Sequence, residues 1–196
     1  MHSTHDHSRL GAASGAAFVL GAIALNSAGS SSDPVIALEA LALTLFVPFA
    51  AYLHGLLRQA GWVATAALGA GLVAVAVKLA GVLPDALVQR GELGGELGAA
   101  FTRLGEVSFV LSMVPFGVFL GLVAAAALRT GALPAPLAWG AAAVAPLLLL
   151  NGLDLGAEFG PAFIAFLAWT LAASVVLLRR AVRAAPAATP AAASAA

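Results

Sequence analysis

The 196-residue chain contains no cysteine. Disulfides, thiolate metal sites, iron–sulfur clusters and cysteine nucleophiles are therefore excluded, whichever compartment its loops face. Charge is scarce as well: Asp, Glu, Lys and Arg make up 9% of the residues, against about 25% in an average soluble domain. Nine basic and nine acidic side chains cancel. A nucleic-acid binder carries a clustered excess of Lys and Arg, so nucleic acid is not an expected partner. Also missing are the local signatures of common catalytic sites: there is no HExxH, no phosphate-cradling P-loop and no Gly-x-Ser-x-Gly elbow.

What is present instead is apolar: 62% of the residues are hydrophobic, well above the soluble norm of about 45–50%. A water-soluble globule cannot be built from this composition. At about 20 residues per bilayer crossing, the chain has room for roughly six helices and no separate soluble domain. Six apolar runs emerge between clusters of charge, Gly and Pro, at residues 10–28, 35–57, 62–83, 104–128, 136–153 and 160–178. The expected architecture is an all-α membrane bundle of six transmembrane helices in one domain, residues 10–183. Residues 1–9 are expected to be flexible. Residues 184–196 lack the large apolar side chains that would offset their ordering entropy, and are expected to be disordered.

Orientation follows from Lys and Arg, which are retained on the cytoplasmic side when they fall in short loops. Arg9, Arg58, Arg129, Arg179, Arg180 and Arg183 share one side of the six-span layout, and Arg90 and Arg103 the other. Both termini are therefore expected in the cytoplasm. The acids agree, with Asp33, Asp85, Glu92, Glu96, Asp154 and Glu158 in outer loops and Asp6 inside. A competing reading takes Arg9, the first apolar run and the small residues Ser27-Ala28-Gly29 as a cleaved secretory signal. Cleavage would leave five spans in the same orientation. In the long loop from Pro84 to Arg103, Leu93, Leu97, Ala100 or Phe101, and Leu104 recur at helical spacing. This predicts a short amphipathic helix at the outer interface, weakened by Gly94-Gly95.

Helices in lipid gain no hydrophobic energy from meeting, so small residues that allow close approach mark packing seams. Gly11 with Gly15 and Gly117 with Gly121 have that spacing. They serve either packing inside the bundle or a homodimer seam. Pro48, Pro115 and Pro146 fall inside spans two, four and five, where each removes a backbone hydrogen bond and is expected to kink its helix.

Ionisable groups inside a membrane are costly, which makes them the first place to look for function. Glu39, Lys78 and Glu106 lie near the outer ends of three successive spans, within roughly 8 Å of the boundary at 1.5 Å per residue. They are the candidate ligand-binding residues: either an outward-facing polar pocket, joined by Asn26, Asn151 and Asp154, or a structural ion pair whose members snorkel to the headgroups. His54 is the single histidine in any expected span, so a bis-His haem lacks its second ligand there. His2, His5 and His7 with Asp6 form a short tract able to hold a metal ion loosely. No cofactor and no resident metal are expected. Ser108 and Ser112 are expected to bond back to their own helix, Trp62 and Trp139 to stand in an interfacial aromatic belt, and Trp169 to pack internally.

From Arg103-Leu104-Gly105-Glu106 through Leu128-Arg129-Thr130-Gly131-Ala132-Leu133-Pro134 to Trp139, the chain resembles uncharacterised small multi-pass membrane proteins abundant in high-GC actinobacteria. In layout the resemblance covers residues 10 to 180. It implies a six-helix protein of the bacterial plasma membrane and transfers no catalytic residue. The expected role is non-enzymatic, with the lipid bilayer as environment and a lipid, a protein or a second copy as partner. The alternatives are a small transporter, channel or sensor built on Glu39, Lys78 and Glu106, and a membrane enzyme of unfamiliar kind.

Overall fold

A computed structural model describes residues 4–28, 33–153 and 160–183, and every regular element among them is helical. The helices are α1 (Thr4–Ala28), α2 (Asp33–Thr44), α3 (Phe46–Leu57), α4 (Trp62–Gln89), α5 (Gly95–Thr130), α6 (Ala135–Gly152) and α7 (Gly160–Arg183), with one 3-10 turn at Arg58–Ala60. Five described segments are long and apolar enough to cross a membrane: Val35–Ala60, Trp62–Val88, Gly95–Thr130, Ala135–Gly152 and Pro161–Arg183. A shorter apolar segment, Ser8–Ala24, lies in α1. The expected tail, 184–196, and the start of the His tract fall outside the described residues.

Two connections are set by glycine. Gly61 adopts φ 63° and ψ −132°, closed to a residue with a Cβ, and this lets α3 turn back into α4 almost without a loop. Gly131 caps α5 in the left-handed region and donates its N–H to the Ala127 carbonyl at 2.8 Å.

The prolines differ in whether they interrupt their helices. Helical hydrogen bonding runs past Pro115 in α5 and Pro146 in α6, and Pro48 alone of the three coincides with a break. Pro48 has no N–H for the Thr44 carbonyl and its ring crowds that oxygen, so the apolar run 35–57 divides at Leu45 into α2 and α3. Pro84, expected to end a helix, sits inside α4, which continues to Gln89. The carbonyl it frees belongs to Ala80, which is exposed, so losing that internal bond so near the helix end is tolerable. The segment expected to form a separate interfacial helix is instead continuous with the fourth span. Gly94 and Gly95 stand at the start of α5 rather than in its middle, where they would have cost stability.

Successive passes alternate in direction. At one end of the bundle Gly11 of α1 lies against Tyr52 of α3, Gly15 lies against Phe49 of α3 and Ser174 of α7, and Arg180 of α7 donates to the Ala132 carbonyl at 3.2 Å. At the other end Gly81 of α4 packs on Gly105 and Ser108 of α5, Gly152 of α6 packs on Val114, and Phe109 stands edge-on to Phe163 of α7. The centre is aromatic. Phe46 lies 5.3–5.9 Å, centroid to centroid, from Phe18, Phe49, Phe116, Phe119 and Phe166, mostly edge-on or tilted. These geometries suit the ring quadrupoles, and all six side chains are fully buried.

Candidate functional site

The polar site builds on α2, α4 and α5. α2 and α4 run side by side, and this places the Glu39 Oε1 atom 3.7 Å from the Lys78 Nζ atom. The pair is not sealed in, with Lys78 20% and Glu39 39% exposed. At 3.7 Å it is looser than a charge-assisted hydrogen bond of about 2.7–2.9 Å. On its other side the Lys78 ammonium sits 4.4 Å from the centroid of the Phe109 ring, on α5, within cation–π range. The lysine is thus held by a carboxylate and an aromatic face, and its four-carbon stem spans apolar surface.

Glu106 does not join this contact. It is exposed on α5 and makes no ion pair among the described residues. Phe109, three residues further along the helix, is the part of α5 that reaches Lys78. Asn151 is buried at the end of α6. The Asn26 side chain and Asp154, the other groups expected to contribute, lie outside the described residues. Beyond the bundle end Arg90 and Glu92 form a second exposed pair at 3.8 Å. Among the described residues no three His, Asp or Glu side chains gather as a metal site.

Several polar groups are accounted for by their own helices. Ser112 donates to the Phe109 carbonyl at 2.6 Å, as expected, and Ser14, Thr44, Thr102 and Thr130 do likewise to residues one turn back. Ser108 is placed by packing against Gly81. Trp169 is buried and its indole donates to the Leu137 carbonyl at 2.8 Å, tying α7 to α6. Trp62 and Trp139 are 75% and 64% exposed at the opposite end from the Glu39–Lys78 pair.

Gly11, Gly15 and Gly117 turn inward. A methyl group on Gly11 would stand 2.6 Å from the Tyr52 Cβ atom, and one on Gly117 would stand 2.8 Å from the Leu149 side chain and 3.0 Å from the Ala145 carbonyl oxygen. These glycines let helices of the same chain approach. Gly121 differs: the Ala145 Cβ atom is 3.8 Å away, and beside it an apolar groove of 530 Å³ opens between α5 and α6.

The sequence reading missed this groove and the phenylalanine cluster. The cluster had left a signal, since Phe46 with Phe49, Phe116 with Phe119 and Phe163 with Phe166 each recur three residues apart. The groove had almost none, because it arises where small residues on two helices happen to face each other. Comparison with protein-family models, with curated proteins and with solved structures found no match.

Proposed function

We propose that this is a non-enzymatic integral protein of a bacterial cytoplasmic membrane, crossing it six times with both termini in the cytoplasm, that acts by holding a lipid or a partner protein. The apolar helices make it a membrane protein. The observation that favours holding over transport is the filled centre: Phe18, Phe46, Phe116, Phe119 and Phe166 occupy the place where a permeating solute would need water or polar side chains.

A second reading, a small transporter, channel or sensor with an outward-facing site, is favoured by the Glu39–Lys78 contact with Glu106 nearby in sequence depth. The two are separated by a thermal-shift screen of the detergent-solubilised protein and its Glu39→Gln variant against cations, pH, small polar metabolites and phospholipids. A ligand that binds only the folded state raises its apparent stability by mass action. Phospholipids are expected to stabilise both proteins alike, and cations and polar solutes neither. A cation or polar solute that stabilises the parent but not Glu39→Gln would replace the proposal with the transporter or sensor reading.

A further inference from the structure

The groove between α5 and α6 has a composition and a length that call for an explanation. It is lined by Gly121, Ala125 and Leu128 of α5 and Ala142, Pro146 and Leu149 of α6, and with Val118, Leu128 and Pro146 exposed it lies at the bundle surface. Along α5 it runs from Gly117 to Leu128, about 16 Å at 1.5 Å per residue. That is close to one leaflet of hydrocarbon, half of a core about 30 Å thick.

The groove ends at charge. On α5 the row Val118, Leu122, Ala125 continues at the next turn to Arg129, and on α6 the row Leu149, Pro146, Ala142 continues to Trp139. Both terminal residues are exposed, and Arg129 makes no ion pair among the described residues. A guanidinium matches a phosphate through its planar fork of donors, and an exposed tryptophan sits favourably at headgroup level. The end in question is the one that gathers Arg58, Arg129, Arg179, Arg180 and Arg183.

We propose that the groove holds one acyl chain of an anionic phospholipid from the leaflet at the arginine-rich end, with the lipid phosphate on Arg129 and Trp139 beside the headgroup. This deepens the lipid-holding reading above and rests on it. The leaflet-long apolar trough sets the depth of the chain, and the cation at its mouth selects the headgroup charge.

The test uses the full chain in a mild detergent, titrated with phosphatidylglycerol or phosphatidylcholine and read by thermal shift and native mass spectrometry. The parent is expected to bind phosphatidylglycerol saturably and more tightly than phosphatidylcholine. Arg129→Gln is expected to weaken phosphatidylglycerol by about tenfold or more, the loss of one charge-assisted contact, and to erase the preference. Arg103→Gln, at the far end, is expected to leave both unchanged. Gly121→Leu is expected to block the trough and abolish saturable binding of either lipid. If the two lipids bind the parent and Arg129→Gln equally, the site is overturned while lipid holding survives. If neither lipid binds, the site and the lipid-holding reading both fall. If the parent is a dimer by light scattering and Gly121→Leu is a monomer, a second copy fills the groove and the proposal is wrong.

Discussion

Phe46 concentrates more of the packing than any charged residue does. Its burial in lipid brings little transfer energy, because the surrounding tails are as apolar as the core; what it contributes is dispersion and ring geometry. Removing the ring leaves a void on the order of 100 Å³, which at about 24 cal/mol per Å³ amounts to roughly 2–3 kcal/mol. Phe46→Ala is therefore expected to lower the melting temperature in detergent by roughly 5–10 °C, and Phe46→Leu by less than half of that, as read by circular dichroism on heating. Glu39→Gln and Lys78→Met are expected to cost less than about 1 kcal/mol each, since the pair is loose and partly exposed. A larger loss would mean that the ion pair is buried in the bilayer. The charged residues were legible in the sequence because any charge in an apolar run stands out. Pairing was not: Glu39 and Lys78 meet through the lateral placement of α2 against α4, while Glu106 is exposed and makes no ion pair among the described residues.

The elements show how neighbours decide what a residue does. Hairpin ends were readable, because Gly61 and Gly131 sit where only a residue without a side chain fits easily. Proline was harder, because its effect depends on whether the freed carbonyl finds another partner or water: Pro48 divides a helix and Pro84 does not. The two glycines of one motif differ in the same way. Gly117→Val forces α6 away from α5 and is expected to cost about 1–3 kcal/mol, whereas Gly121→Ala, with ordinary space around it, is expected to be near neutral. Measured at two protein concentrations tenfold apart, the Gly117→Val loss should be unchanged, as packing within one chain requires. A loss that shrinks on dilution would instead place Gly117 in a seam between copies.

At the scale of the whole molecule, the absence of cysteine makes topology directly measurable, since any thiol introduced is unique. Arg90→Cys and Arg179→Cys are expected to label from opposite sides of the membrane in intact cells and inverted vesicles; labelling from one side would dismiss the six-crossing arrangement. The all-helical architecture and the places of the apolar runs were readable because hydropathy and length alone dictate them. The closure of the bundle was not, for it depends on Gly15 of α1 meeting Ser174 of α7, residues far apart in the chain. That closure also fixes an order of events. The ring cluster takes Phe18 from α1, Phe46 and Phe49 from α3, Phe116 and Phe119 from α5, and Phe166 from α7. During synthesis α7 follows all the others, so until it enters the bilayer Phe18, Phe46 and Phe116 share an open flank facing lipid.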